Sequence, residues 1–321
     1  LKTSAALKKV AVRTIEDEAA AIKNLSASVN DDFLKCVAHI IAAKGRVVVT
    51  GIGKSAIIGQ KIVATFNSTG TPAIFMHAAD AIHGDLGIIQ KDDIILCISK
   101  SGETPEIRVL VPLLKQLGSL LISFVGNTAS YLALQSDFVI DTTVSKEACP
   151  NNLAPTSSTT AQLVMGDAMA VCLLEARGFT AGDFAKFHPG GALGKKMYLK
   201  VSDLYIRNQK PEVKSGDLIK DVIFEISAKR LGATAVTDKG RVLGIITDGD
   251  LRRMLEKNLD LRKLRAIDLM SPKPKTISPD TLVIDALTLM RKNNITQLLV
   301  VEKSVYRGVI HLHDILKEGI I

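Results

Sequence analysis

Five short apolar runs punctuate the first half of the chain: RVVVT at 46–50, AIFM at 73–76, IILCIS at 94–99, LLISFV at 120–125 and FVIDTTV at 138–144, with helix-patterned stretches between them. A strand that is apolar at nearly every position must be covered on both faces, and the intervening helices are the available cover. The alternation predicts an α/β fold, a doubly wound and mainly parallel five-stranded sheet. Ahead of it, Leu7, Val10, Ile15, Ile22 and Leu25, then Phe33, Val37, Ile40 and Ile41, recur at helical spacing within residues 5–44, which reads as one or two amphipathic helices. Sheets of this kind bind ligands outside the carboxyl ends of their strands, where the strand order reverses.

Two such strand ends carry phosphate-cradle sequences. GIGKS (Gly51–Ser55) follows the first run and SKSGETPE (Ser99–Glu106) follows the third. Glycines such as Gly53 let backbone N–H groups approach an oxyanion, hydroxyls add donors, and the helix N-terminus that follows adds partial positive charge. A third hydroxyl cluster, Thr156-Ser157-Ser158-Thr159-Thr160, stands just before another apolar helical run. The full G-x-x-x-x-G-K-[ST] loop is absent, so the set suits a monoester phosphate rather than a triphosphate.

After Gly194 the chain contains an internal repeat. Gly244–Leu251 (GIITDGDL) aligns with Gly308–Ile315 (GVIHLHDI) at an offset of 64, and the same offset pairs Leu218–Val222 with Leu282–Ala286. Two copies of a β-α-β-β-α-type unit therefore stand in tandem, opened by Asp203-Leu204 and Asp268-Leu269.

Lys plus Arg exceeds Asp plus Glu by 8, which suits an anionic ligand without requiring nucleic acid. Aromatics are 4% and Trp is absent, so base-stacking platforms are scarce. The basic run Arg252, Arg253, Lys257, Arg262, Lys263, Arg265, Lys273, Lys275 reads as a solvated face beside an anionic-ligand cleft. The four cysteines form no C-x-x-C pair, the first twenty residues lack an apolar signal-peptide core, and no uncharged stretch is long enough to span a bilayer. The expectation is a reduced, cytoplasmic protein with no membrane and no nucleic-acid partner.

These segments resemble known families. Residues from about 200 to 321 resemble a tandem CBS pair through G-[IV]-I-T-x-x-D-[LI], whose Thr and Asp contact the phosphate and ribose of a bound nucleotide in that family. The first copy keeps Thr247 and Asp250, whereas the second keeps Asp314 but has His311 in place of Thr. Residues 1–198 resemble a SIS (sugar isomerase) domain through HGDLG (His83–Gly87), SKSGET (Ser99–Thr104), KEACPNNLAPTSSTT (Lys146–Thr160) and HPGGALGK (His188–Lys195). With the CBS pair, the whole chain is similar to the bacterial D-arabinose 5-phosphate isomerases, divided as 1–198 SIS, 199–264 first CBS and 265–321 second CBS.

The resemblance implies an aldose–ketose isomerase that interconverts D-ribulose 5-phosphate and D-arabinose 5-phosphate through an enediolate and feeds Kdo synthesis for lipopolysaccharide or capsule. It implies no cofactor and no required metal. It assigns phosphate binding to Ser55, Ser99, Ser101, Thr104 and Ser157–Thr160, and a catalytic set of Lys54, Glu106, Glu147 and His188. His188 would reach a neighbouring subunit's site in a homotetramer, and a nucleotide or nucleotide-sugar would bind at the CBS pair. His83 is an additional candidate for the site or for a metal, with an inhibitory zinc at His83 and His188 as the form that metal would take; His39 and His77 read as structural. Locally, each residue has a plainer reading: Lys54 as a surface charge, Glu106 as a complement to a helix dipole, Glu147 as an exposed loop acid. Lys100 departs from the neutral polar residue usual in the family, and reads either as phosphate attraction or as a side chain in solvent. Two alternatives stand beside the isomerase. A sugar-phosphate-sensing SIS regulator would carry an N-terminal helix-turn-helix, for which the residues before the first strand offer no basic recognition helix. A SIS isomerase for another phosphosugar is disfavoured by the CBS pair and by KEACPNNLAPTSSTT.

Overall fold

The computed structural model describes residues 3–256 and 262–320, so Lys257 of the basic run lies outside the described residues. The chain forms two compact units, Leu1–Phe187 and His188–Ile321.

In the first unit, helices α1 (Ser4–Asn24) and α2 (Asp31–Ala42) precede β1 (Val47–Gly51), α3 (Lys54–Ser68), β2 (Ala73–His77), α4 (Ala78–Ala81), β3 (Ile94–Ser99) and α5 (Pro105–Gln116). Then come β4 (Leu120–Val125), α6 (Tyr131–Gln135), β5 (Phe138–Asp141), α7 (Ser157–Ala176) and α8 (Ala181–Phe187). The strands pair in the order β2-β1-β3-β4-β5, all parallel. Every residue of β1 and β3 is buried. Alternation splits them between two cores. Val47, Val49, Leu96 and Ile98 pack with Phe33, Ile62, Phe66 and Met165 of α2, α3 and α7. Val48, Ile95 and Cys97 pack with Ile107, Leu110 and Leu114 of α5 on the other face. Each large side chain buried this way contributes about 1.5–3 kcal/mol, so the strand ends are held by both faces. The α/β doubly wound expectation holds. The strand at 138–144 ends early, at Asp141, because the Asp141 carboxylate turns the chain by accepting the Thr143 N–H at 2.8 Å.

The second unit contains α9 (Ala192–Tyr198) and α10 (Val201–Tyr205), then β6 (Glu212–Lys214), α11 (Ile219–Lys229), β7 (Ala233–Asp238), β8 (Arg241–Thr247) and α12 (Asp248–Glu256). It continues with α13 (Ala266–Leu269), β9 (Ser271–Pro272), β10 (Thr276–Ile277), α14 (Val283–Asn293), β11 (Gln297–Glu302), β12 (Val305–His311) and α15 (Leu312–Lys317). The repeat is exact in its main elements: α11, β7 and β8 recur as α14, β11 and β12 with every bound displaced by 64. The opening helices are exchanged. Val201 and Leu204 of α10 pack into the second copy with Val283, Met290 and Ile310, and the Val201 N–H donates to the Thr281 carbonyl at 2.9 Å. Conversely, Ala266 of α13 packs with Val222, Val236 and Ile246 of the first copy. A smaller shared cluster of Ala235, Leu299, Tyr306 and Val309 joins the copies, and the Tyr306 hydroxyl donates to the Pro211 carbonyl at 2.8 Å.

Candidate active site

Strands β1 and β3 are neighbours, with Gly51 in register with Ile98, and the chain runs from β1 outward to β2 but from β3 outward to β4, in opposite directions along the sheet. The GIGKS and SKSGET corners thus lie side by side at the switch point. Gly53 caps α3 at φ +59°, a conformation that strains any residue with a Cβ. At the second corner Gly102, at φ +66°, is held where a Cβ would meet the Ser130 side chain. There Ser99 Oγ accepts the Gly102 N–H at 3.0 Å and Ser101 Oγ accepts the Glu103 N–H at 3.2 Å. Glu103 pins the turn by accepting the Tyr131 N–H at 2.6 Å and bonding Arg108.

A cavity of about 290 Å³ opens at these corners, lined by Lys54, Ser55, Ser99, Lys100, Ser101, Thr104, Ser158 and Thr159. Lys54 and Ser55 belong to the first turn of α3, Thr104 caps α5, and Ser158 and Thr159 belong to the first turn of α7. Three helix N-termini and two lysines therefore give the cavity a positive potential. The hydroxyl cluster that reads as preceding a helix is in fact that helix's first turn. Thr104 Oγ1, on the cavity lining, and Ser157 Oγ, off it, are buried and without a hydrogen-bond partner among the described residues. Ser55 Oγ donates to Oε1 of the buried Gln162 at 3.1 Å, a contact across 107 residues that no local motif announces. A larger groove of about 910 Å³ runs along the opposite edge of the sheet, past Lys44, Asp92 and Gly118. It faces the carboxyl ends of α2 and α5, whose partial charge disfavours an anion.

Glu147 lies behind the cavity in the loop from β5 to α7, and its side chain is fully buried. Oε1 accepts from Lys100 Nζ at 2.5 Å and Ser158 Oγ at 2.5 Å. Oε2 accepts from Thr156 N–H at 2.8 Å, Thr156 Oγ1 at 3.1 Å and Ser158 N–H at 3.2 Å. Burial alone would raise its pKa; the bonds from Lys100, Ser158 and Thr156 outweigh that and hold the carboxyl down to about 2. The exposed-loop-acid reading of Glu147 is thereby corrected; Lys100, half-exposed and lining the cavity, is also bonded to this buried carboxylate. Sequence reading missed the bonds of Lys100 and Thr156 to Glu147, and the bond of Gln162 to Ser55.

Glu106 stands in the first turn of α5, two residues from Thr104, half-buried and with no hydrogen-bond or ion-pair partner among the described residues. Glu106 and Glu147 do not themselves line the cavity. His83 is exposed in the turn after α4 and also lies off the lining. His188, half-buried, belongs to the second compact unit, where its carbonyl accepts the Gly191 N–H at 3.1 Å. His39 packs tilted against Phe138 with ring centroids 5.1 Å apart, and His77 faces Asp80 at 3.6 Å. Among the described residues no three His, Cys, Asp or Glu side chains converge as metal ligands, and no helix is long and apolar enough to cross a membrane.

In the second unit, Asp250 Oδ2 accepts from Thr247 N–H at 2.8 Å and Thr247 Oγ1 at 2.6 Å, while Oδ1 accepts from Arg253 at 2.6 Å. Burial would raise this carboxyl, but those bonds keep it below the usual range. In the second copy Asp314 Oδ2 accepts from His311 N–H at 2.9 Å and Asn208 Nδ2 at 2.6 Å. The His311 and His313 rings stack at 5.0 Å. Beside them lies a cavity of about 600 Å³ whose lining includes Asn208, Arg230, His311, Asp314 and Lys317.

The SIS domain family matches residues 39–172, and the CBS domain family matches residues 201–257 and 266–320. The chain is 48% identical over 313 residues to the arabinose 5-phosphate isomerase KdsD of Pseudomonas aeruginosa, covering 97% of this chain and 96% of the relative. It is 45% identical over 312 residues to the protein of the same name from Escherichia coli K12, covering 97% and 94%. Among solved structures, it is similar to E. coli CFT073 c3406 in complex with A5P, with a TM-score of 0.57 and 40% identity, over 59% of this chain and 100% of that one.

Proposed function

Because the chain belongs to the arabinose 5-phosphate isomerase family, a SIS domain followed by paired CBS domains, we infer that it interconverts D-arabinose 5-phosphate and D-ribulose 5-phosphate. The observation that carries this reading is the cavity at the β1/β3 switch point, where three helix N-termini, two lysines and a ring of hydroxyls suit one phosphomonoester. Incubation with a panel of C5 and C6 sugar phosphates in D2O, followed by NMR, tests it. Deuterium at the carbons next to the carbonyl of the C5 pair, with the C6 compounds unchanged, is the expected result; turnover of a C6 substrate alone would overturn it.

In the reaction, a base takes the C2 proton of the open-chain aldose and the electron pair moves onto the carbonyl oxygen, giving an enediolate. Passage of the C2 hydroxyl proton from O2 to O1 and return of a proton to C1 then yield the ketose. Phosphate held by Gly53, Ser55, Ser99, Ser101, Thr104 and Ser157–Thr159 anchors the unreactive end and positions C1 and C2. Lys54 stabilises the developing oxyanion. Glu106, with no bonding partner to give up, is the base; Glu147, whose oxygens are already occupied, shapes the cavity wall. His188 lies outside the unit that holds the cavity, and we assign it ring opening from a neighbouring subunit of a homotetramer. Lys54→Ala is expected to lower kcat/KM by about 10²–10³-fold, and unchanged kinetics would return Lys54 to the role of surface charge.

The product feeds Kdo synthesis in the cytoplasm, and the CBS pair senses a nucleotide or nucleotide-sugar. We divide the chain as 1–198, 199–264 and 265–321. Binding at the pair is asymmetric and rests on Thr247 and Asp250. Deletion of residues 200–321 should leave isomerase activity and remove nucleotide modulation, since an effector acts through its differential affinity for two states. Calorimetry of the full chain, Asp250→Ala and Asp314→Ala against a nucleotide panel checks the asymmetry; binding lost in the Asp314 variant alone would reverse it.

A further inference from the structure

Lys100 is given no step in the reaction above, yet it touches both halves of the site. It stands in the turn between β3 and α5 with its side chain 46% exposed, while the Glu147 side chain it bonds is fully buried. On one side its ammonium donates to Glu147 Oε1 at 2.5 Å. On the other it lines the cavity together with Lys54, Ser55 and Thr104. One cation thus faces two anionic demands, a buried carboxylate behind it and the phosphate position in front.

Among the described residues Lys100 is the sole charged group bonded to Glu147; the remaining donors are the Thr156 and Ser158 hydroxyls and backbone N–H groups. Those neutral donors come from the loop end and first turn of α7 and stay with the backbone. The Lys100 stem is flexible, and an ammonium carries three donors that can be redirected by rotation of the side chain. A phosphomonoester carries more charge than a carboxylate and sits where three helix N-termini already favour anions, so it competes for the same ammonium.

We propose that Lys100 is a positioning residue shared between Glu147 and the substrate phosphate: it holds Glu147 in the free protein and transfers to a phosphate oxygen on binding, leaving Glu147 to its neutral donors, with Ser158 Oγ still on Oε1. The inference rests on the isomerase reading for the identity of the substrate, but the sharing itself needs only a phosphate in the cavity.

Inorganic phosphate titrated calorimetrically into the full chain tests the sharing. Lys100→Gln is expected to weaken phosphate binding roughly 3- to 10-fold, while Lys100→Arg, which keeps the charge, stays within about twofold of the native protein. Glu147→Gln should tighten phosphate roughly threefold, because the cation is no longer divided, and that gain should vanish in the Lys100→Gln/Glu147→Gln double variant. Where Glu147→Gln fails to fold, Glu147→Asp, one methylene short of Lys100, takes its place with the same expected sign. In turnover, Lys100→Gln should raise KM by the factor seen for phosphate, with a smaller change in kcat. Native-like phosphate affinity in Lys100→Gln, or unchanged or weaker affinity in the Glu147 variant, overturns the proposal. A native protein that binds phosphate with these couplings but leaves both pentose phosphates untouched would sink the isomerase reading and leave the sharing standing.

Discussion

Replacing Glu147 with alanine is expected to destabilise the protein by about 3–5 kcal/mol and to lower turnover roughly 10²-fold or more through a displaced cavity wall. Five donors lose their acceptor at once: the Lys100 ammonium, the Thr156 N–H and hydroxyl, and the Ser158 N–H and hydroxyl. The buried ones cannot turn to water, and their desolvation is left uncompensated. The same network sets a pH dependence. The folded carboxyl is held down to about 2 from an ordinary 4.5, so its contribution of about 3 kcal/mol is complete above pH ~4.5 and fades as the pH falls toward 2. Urea melts of native protein and Glu147→Ala should therefore lie far apart at pH 7 and draw together in acid. Curves that keep a constant separation down to the acid limit of folding would show that the carboxylate's ionisation is not what holds the loop.

Glu106→Gln is expected to abolish solvent deuterium exchange at C1 and C2 and to lower kcat by about 10²–10⁴-fold, with stability close to native because the side chain has no bond to lose. KM should stay within a few-fold, since the phosphate grip lies elsewhere. The contrast with Glu147→Ala is diagnostic: one variant stays folded and loses exchange, the other loses stability and rate together. Exchange at the native rate in Glu106→Gln would transfer the base to another group.

Much of the fold is legible in the sequence because a buried parallel strand has no polar alternation to blur its ends. IILCIS and LLISFV coincide with β3 and β4 residue for residue. FVIDTTV overran β5, since β-branched threonines fit a strand locally and the Asp141 carboxylate that ends it acts on the backbone. The repeat was legible to the residue, because duplicated segments keep their spacing. The candidate site was legible where chemistry is local: glycines, hydroxyls and helix starts lie within a few residues of one another. It was not legible where partners are remote. Lys100 and Glu147 are 47 residues apart, Ser55 and Gln162 are 107 apart, and a lysine flanked by serines carries no mark of the carboxylate it meets.

The exchanged helices of the second unit make its two copies inseparable. Because α10 completes the core of the second copy and α13 that of the first, a cut between α12 and α13 strips each fragment of part of its own interior. Neither copy can be lost, transplanted or varied in number singly; the smallest heritable step is the pair. A library of single-copy excisions should yield insoluble or proteolysed chains, whereas excision of both copies leaves the doubly wound unit with its two cores whole.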